Sequence, residues 1–336
     1  MSERPIFKVD NHHVRDFSQE DSEVLGREIL DTHFNKVMDN EMPKSPEEIK
    51  FIDSFNTYLA QEFKRLDLDD YRPFPIEKIH FLPSSSFEST SPTIGVSGSE
   101  GFYSPHHHAI FINKEKARSN LDLFISIVHE MTHAASFRLY QKSDKEKQVY
   151  ENYKTGYATD KRSQAEKALA ELKTENKDEV DVPFESLYVE KFTGFNEAVT
   201  DLFVYQFFLN NKAKIAADFA ITEDDWKKFS VASYLPYCNL VDNIMDLIAQ
   251  KKNEDKSSVW KKFKLGMFTG RMMHLRAIEE VLEPKALRKL SSLGCRRLDK
   301  EREGENIEPD YTKIDARDQE ILEYLNSVIA QQKTAQ

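Results

Sequence analysis

The sequence predicts an α+β fold that is mostly helical, with a small mixed sheet before a central helix and a helical subdomain towards the C-terminus. Three segments typical of short strands lie between residues 76 and 112, directly before a long amphipathic segment that begins at Asn120. Beyond Asn196 apolar residues recur with helical spacing, and the stretch from Glu301 to Tyr311 has the composition of a linker.

The first 70 residues are predicted to form helices. Ser45, Pro46 and Glu48 make a capping signature in front of an apolar series with helical spacing. A second apolar series predicts an earlier helix, and its members are Val24, Leu25, Ile29, Phe34 and Val37. The two helices are expected to pack against each other.

The predicted sheet and central helix follow. The strand candidates are IEKIHFL at 76–82, TIGVSG at 93–98 and HHHAIFI at 106–112. The central helix is predicted over 120–140, with Asn120 as its cap. Because its apolar side chains recur at helical spacing, this helix is expected to be mostly buried.

Five regions are predicted along the chain. They are a helical region at 1–72, the sheet and central helix at 73–140, a charged insertion at 141–190, a helical subdomain at 191–300, and a linker with a closing helix at 301–336. The insertion contains AEKALAELK, which predicts a short exposed helix, and Gly156, which predicts a turn. Its charge is typical of solvated surface, and a role as the rim of a cleft stays open.

Composition restricts the classes of function. The 336 residues carry a formal net charge of -11, which argues against a nucleic-acid groove as the main purpose. No stretch reaches the ~18 apolar residues that span a bilayer, and the N-terminus lacks a secretory pattern, so a cytoplasmic protein is predicted. A protein exported by a specialised system would have the same features. Cys238 and Cys295 are predicted to be reduced core residues. Oligomeric state is left open.

Within the central helix, VHEMTH places His129 and His133 four positions apart, with Glu130 between them. Positions i and i+4 share a helix face, so both imidazoles can bind one metal ion. Glu130 is turned about 100° away, where it can hold a water for hydrolysis as a base. A chance match of three polar residues is the alternative, and a third ligand would decide against it.

The segment GFNEAVTD supplies candidates for that ligand. Glu197 and Asp201 are again four apart, on a helix that is otherwise apolar, where buried carboxylates need a cation or hydrogen-bond donors. Glu197 would complete a His₂Glu zinc site, and Asp201 would accept the outer N–H of a ligand histidine. In the alternative, Asn196 caps the helix and the two acids face its positive end.

Together HEMTH and GFNEAVTD resemble the HExxH and NExxxD motifs of the gluzincins, the clan of zinc metallopeptidases with a thermolysin-like active site. The resemblance implies a zincin-like catalytic domain with Zn²⁺ as cofactor and a peptide or protein as substrate. By this resemblance the zinc ligands are His129, His133 and Glu197, and the base is Glu130. Asn196 and Asp201 are the first and last residues of the second motif, and Asp201 supports a ligand histidine.

The same resemblance implies that a strand near the central helix binds extended peptide by edge pairing, and HHHAIFI is the candidate strand. The interval between His133 and Glu197 is longer than in thermolysin-like enzymes. Metzincins are excluded, because they need glycine and histidine where this chain has Ser136 and Leu139.

Hydrolysis of a peptide bond also needs a donor that stabilises the oxyanion. Gluzincins use a downstream tyrosine or histidine, and the candidates here are Tyr234, Tyr237 and His274, each of which is alternatively an ordinary core residue. Of the three histidines at 106–108, at most His106 and His108 could share a metal site, since neighbouring residues of a strand face opposite sides, and no other ligand lies near in sequence. Surface exposure is predicted for them, and a role at a strand entry or a substrate cleft is the alternative.

The leading hypothesis is therefore a zinc-dependent peptidase with Glu130 as general base. One alternative is an interaction protein on the same scaffold that is catalytically silent or holds zinc only for structure. Another is a metal-free helical scaffold whose histidines form ion pairs. An intact Glu130 favours the enzyme, because a structural zinc site has no need of a base.

Overall fold

The structure is a computed structural model. It describes residues 6–9, 12–15, 40–68, 71–88, 100–105, 107–144, 149–160, 190–227, 229, 235–294 and 316–334. The described residues are mostly helical, with a small mixed three-stranded sheet and a C-terminal helical region, as the sequence predicts.

The chain divides into two compact units. The described residues of Met1–Tyr140, Thr200–Ser233 and Asp310–Thr312 belong to the first, and those of Gln141–Val199, Tyr234–Pro309 and Lys313–Gln336 belong to the second.

The first unit begins with two short strands where helices were predicted. β1 (Ile6–Val9) and β2 (His12–Arg15) pair antiparallel, with Ile6 opposite Arg15. The helical prediction is wrong for these residues; IFKV contains two β-branched residues and a phenylalanine, which favour strands, and HHVR pairs with it. The helix predicted from Val24 to Val37 lies outside the described residues.

Helix α1 (Pro46–Arg65) begins as the capping signature predicts. Ser45 Oγ accepts a hydrogen bond from the Glu48 backbone N–H at 3.2 Å, and the Glu48 carboxylate accepts from the Ser45 N–H at 2.6 Å. This reciprocal pair satisfies two N–H groups that have no partner within the helix. The face that α1 buries includes Phe51, Phe55 and Leu59.

The three-stranded sheet has the order β3 (Ile79–Leu82), β5 (Ala109–Asn113), β4 (Gly101–Ser104). β5 lies in the middle, parallel to β3 and antiparallel to β4. The strand predicted at 76–82 is confirmed from Ile79, after one turn of 3₁₀-helix.

The other two strand predictions fare differently. HHHAIFI forms a strand only from Ala109, because His107 and His108 lie in the turn before it and His108 has a φ of 44°. The segment TIGVSG and His106 lie outside the described residues. Strand β4, with the sequence GFYS, was not predicted; its four residues are too few to show a period.

Helix α2 (Asn120–Ala135) is the predicted central helix, with two corrections at its ends. Its cap is Ser119, whose Oγ accepts from the Asp122 N–H at 3.1 Å, so Asn120 is the first helical residue. It ends at Ala135 rather than Tyr140, because the chain enters a strand at Arg138. The rings of Phe124 and Phe51 stack at 3.9 Å and join α2 to α1.

Four strands follow and neighbour one another in sequence order: β6 (Arg138–Asp144), β7 (Val149–Thr155), β8 (Ala158–Asp160) and β9 (Glu190–Lys191). The described part of the predicted insertion is therefore sheet, and Tyr157 within it is fully buried, so it is more than solvated surface. Gly156 lies in a turn, as predicted, with a φ of 55°. The segment AEKALAELK lies outside the described residues.

Helix α3 (Thr193–Asp218) is the long helix predicted after Asn196. Its residues from Thr200 onwards belong to the first unit, where Phe207 packs edge-on against Phe55 at 4.8 Å. The short helix α4 (Glu223–Lys227) follows it.

The C-terminal helical region comprises α5 (Leu235–Lys252), α6 (Lys256–Thr269), α7 (Arg276–Val281), α8 (Pro284–Ser292) and α9 (Ala316–Thr334). The buried Asp318 carboxylate holds the start of α9, since it accepts from Tyr237 Oη at 2.8 Å and from the Gly294 N–H at 3.1 Å. Across the described helices, none combines the length and apolarity needed to cross a membrane.

Candidate metal centre

Helix α2 presents His129 and His133 on one face, one turn apart. Their rings are 4.7 Å apart between centroids, and the two Nε2 atoms face each other at 2.9 Å. The neighbouring side chains Val128 and Thr132 are fully buried, whereas both imidazoles are partly exposed. The helix therefore brings two nitrogen donors to one accessible point.

Asp201 fixes the chemical form of His129. Its Oδ1 lies 2.9 Å from His129 Nδ1, and its side chain is only 3% exposed. A carboxylate accepts here, so the proton of a neutral imidazole is on Nδ1 and the lone pair is on Nε2. That lone pair is directed towards His133, which is the arrangement a metal-binding histidine requires.

Glu197 lies one turn before Asp201 on the continuous helix α3. Ligand atoms from His129, His133 and Glu197 all lie within 4.8 Å of one another. Among the described residues, these form the only group of three or more His, Cys, Asp or Glu side chains close enough to hold a metal ion.

The distances test whether a zinc ion fits these donors. Tetrahedral ligands at about 2.0–2.1 Å from zinc are ~3.3 Å apart. The two Nε2 atoms are 2.9 Å apart, so the rings need to separate by a few tenths of an ångström. Two imidazoles and one carboxylate suit zinc, with a fourth position left for solvent. The residues present therefore fit the ion.

Glu130 follows the first histidine and turns towards strand β4. Its side chain is 8% exposed. A Cβ added at Gly101 would lie 3.4 Å from Glu130 Cγ and 2.7 Å from Ile112 Cδ1. Gly101 thus lets β4 approach the glutamate closely, a contact that the sequence analysis missed because no local pattern marked Gly101.

Asn196 is buried inside α3, which begins at Thr193, so the alternative in which Asn196 caps this helix is wrong. Its Oδ1 accepts from the Tyr157 backbone N–H at 2.9 Å. A Cβ at Gly156 would lie 2.3 Å from the same oxygen. Asn196 therefore ties the turn between β7 and β8 to the first turns of the helix that carries Glu197.

Of the two tyrosine candidates for the oxyanion donor, only Tyr237 lies among the described residues. Tyr234 lies outside the described residues. Tyr237 is buried at the start of α5, and its hydroxyl donates to Asp318 at 2.8 Å. That hydroxyl already serves to hold α9, and its role towards an oxyanion stays a prediction.

His274 lies in the second unit beside Tyr157. The Tyr157 hydroxyl donates to the Phe263 carbonyl at 2.7 Å, so its oxygen accepts from His274 Nε2–H at 2.6 Å. Burial, followed by the ammonium groups of Lys154 and Lys262, lowers the pKa of His274 to about 4. At neutral pH His274 is a neutral donor whose N–H is engaged by Tyr157, and its oxyanion role also stays a prediction.

His107 and His108, the described histidines of the HHH segment, are half-buried, so the prediction that they are exposed is wrong, because both rings have side-chain partners. His107 Nδ1 lies 2.7 Å from Ser104 Oγ, and His108 Nδ1 lies 3.0 Å from Tyr103 Oη. Neither belongs to the metal-binding group.

Comparison with protein-family models, with curated proteins and with solved structures finds no match to this chain.

Proposed function

We propose that this protein is a zinc-dependent metallopeptidase of the gluzincin type, which hydrolyses peptide bonds with Glu130 as general base. The observation that carries the proposal is the convergence of His129, His133 and Glu197, with Asp201 on the outer nitrogen of His129. The sequence motifs that resemble gluzincins name the same residues, so pattern and geometry agree.

Each side chain has a separate task. His129, His133 and Glu197 supply two neutral nitrogens and one carboxylate oxygen, and Asp201 keeps the lone pair of His129 on Nε2. A bound zinc ion would polarise the scissile carbonyl and bring the pKa of its water towards ~7. His129, His133 and Glu197 would hold the ion and would leave one position for solvent or substrate.

Glu130 is proposed to move the proton. It neighbours His129 in sequence but points to the β4 side of α2, where the absence of a side chain at Gly101 lets the strand lie close to the Glu130 side chain. Its carboxylate takes a proton from the attacking water and returns it to the departing amine nitrogen. A buried glutamate serves this step because little bulk water competes for its oxygens.

The substrate is proposed to be an extended peptide that pairs with the outer edge of β4. HHHAIFI was the expected strand, but β5 has neighbours on both sides and offers no edge. β4 is paired with β5 on one side, and no other described strand pairs with it. A peptide on this edge would gain main-chain hydrogen bonds and pass beside Glu130.

The test uses protein purified without a tag. Its zinc content is measured, and a peptide mixture from a proteome digest is incubated with wild type and Glu130→Gln. We expect about one zinc per chain in both proteins, and a rate at least about a hundredfold lower in the variant, as for loss of a general base. Equal hydrolysis by both zinc-loaded proteins would refute the mechanism. Zinc without hydrolysis by wild type would favour the interaction protein.

A further inference from the structure

We propose that Arg138 is a positioning residue that fixes α2 against β4 and thereby selects which peptide bond is cleaved. The inference rests on the proposed function, because it concerns the register of a peptide paired with β4 relative to the metal centre on α2. Arg138 lies outside both sequence motifs, and all the groups involved belong to the first unit.

Arg138 connects the end of α2 to β4 through one side chain. Its Nη1 donates to the Ala134 carbonyl in the last turn of the helix and to Tyr103 Oη at 2.6 Å. The guanidinium carbon also lies 5.0 Å from the centre of the Tyr103 ring. Arginine suits the end of a helix, where carbonyls lack partners within the helix and the dipole is negative.

A second contact holds the other end of the same strand against the helix. Gly101 lies against Glu130, and Tyr103 is linked to Ala134 through Arg138. From Gly101 to Tyr103 the strand advances about 6.8 Å, and from Glu130 to Ala134 the helix advances about 6 Å. Because these lengths match, the two contacts align β4 with the turn of α2 that carries Glu130 and His133.

The direction of the protons shows how firmly Tyr103 is held. Since Arg138 can only donate, the Tyr103 oxygen accepts from it and the hydroxyl proton goes to His108 Nδ1, at 3.0 Å. His108 must then be unprotonated at Nδ1. Burial, followed by the positive charges of Arg138 and Lys78, lowers the pKa of His108 well below the usual value, which keeps the ring neutral. Burial also raises the pKa of Tyr103 to about 12, so its proton stays in place.

The cost of burying Arg138 indicates that more than stability is served. The residue is 1% exposed, it forms no ion pair with a described carboxylate, and its Nε has no hydrogen-bond partner. A buried cation without an acidic partner is unfavourable compared with an apolar side chain. What the arginine provides is a planar group whose Nη1 reaches a helix carbonyl and a strand side chain together.

The consequence for catalysis is a fixed register. A peptide on β4 keeps its side chains on the same faces only when it slips by two residues. If β4 moves relative to Glu130, a slipped peptide presents the bond two residues away to the same base. Arg138 and Tyr103 would suppress that second product by holding the strand in one position.

The experiment compares cleavage products of zinc-loaded, full-length proteins on peptides from a proteome digest, with each cleaved bond identified by mass spectrometry. The variants are Tyr103→Phe, which keeps the ring and Arg138, and Arg138→Met, which keeps a similar volume. The matched control is Tyr140→Phe, which removes a hydroxyl that donates to the nearby Pro105 carbonyl at 2.8 Å, whereas Arg138 donates to Ala134 and Tyr103.

We expect Tyr103→Phe and Arg138→Met to cleave the principal bond about ten- to a hundredfold more slowly, as for a small misplacement of reacting groups. New products displaced by two residues should appear, while zinc content matches wild type and Tyr140→Phe keeps the wild-type pattern. If Arg138→Met fails to fold, Tyr103→Phe alone decides the matter.

Other outcomes separate the two proposals. An active wild type whose cleavage pattern is unchanged in Tyr103→Phe would overturn this inference and leave the proposed function intact. The same displaced products from Tyr140→Phe would mean general loosening of the turn, which also overturns it. A wild type that cleaves no more than Glu130→Gln would overturn the proposed function and this inference with it.

Discussion

Replacing Asp201 by asparagine keeps a hydrogen-bond acceptor beside His129 but removes its negative charge. The bond concerned is 2.9 Å long, and the side chains of His129 and Asp201 are 17% and 3% exposed, so solvent screens it little. Loss of such a partner lowers metal affinity by about 10- to 100-fold, or about 1.4–2.7 kcal/mol. We expect Asp201→Asn near the lower value. Asp201→Ala should lie near the upper one, because the Nδ1–H then loses its acceptor altogether.

The assay is a competition titration, in which a chromophoric chelator and the protein compete for zinc at neutral pH. Asp218→Asn is the matched control, since Asp218 lies on the same helix but forms an exposed ion pair with Lys50 at 3.4 Å. Such a pair contributes little, so its zinc affinity should equal that of wild type. If both Asp201 variants are folded and bind zinc as tightly as wild type, the reasoning about the His129 tautomer is refuted.

Three further predictions concern stability. Because the folded pKa of His274 is about 4 against an ordinary 6.5, the unfolded chain binds the extra proton between these values. The free energy of unfolding should therefore fall by up to ~3 kcal/mol as the pH drops through this window, and by less in His274→Gln. Urea unfolding at several pH values measures this, and an equal dependence on pH in wild type and variant would contradict it. Gly156→Ala should lower the free energy of unfolding by about 1–3 kcal/mol, because φ is 55° and the new Cβ would meet Asn196 Oδ1. Denaturant unfolding of the variant that matches wild type would contradict this close contact. Tyr237→Phe should lose about 1–3 kcal/mol through its bond to Asp318, whereas slower turnover at undiminished stability would support the oxyanion role instead.

The residues of the candidate site could be predicted because their signals are local. Four-residue spacing places His129 with His133, and Glu197 with Asp201, on single helix faces wherever those helices go. The capping box at Ser45 is local in the same way, since its two hydrogen bonds join residues three positions apart. The cost of burying carboxylates then suggested that the two pairs meet.

Contacts between distant segments were not predictable in this way. Gly101 beside Glu130 and Arg138 beside Tyr103 depend on how a four-residue strand docks on a helix, and no period of the sequence reports it. The strands β7 and β8 were not predicted, because their segment is rich in lysine and glutamate. Such residues are compatible with a strand, since only one of its faces needs to be apolar. The sequence does not distinguish the buried amide of Asn196 from a helix cap, because asparagine is common in both positions.

Helix α3 carries Asp201 near its beginning and Phe207 in the aromatic core of the first unit. The residue that supports His129 and a residue of the core therefore belong to the same helix. Metal binding at this centre should therefore raise the melting temperature of the protein. The size of the rise depends on the ratio of the free-ion concentration to the dissociation constant. A dye-based thermal scan across a panel of divalent salts can therefore rank the ions this protein prefers before any substrate has been found.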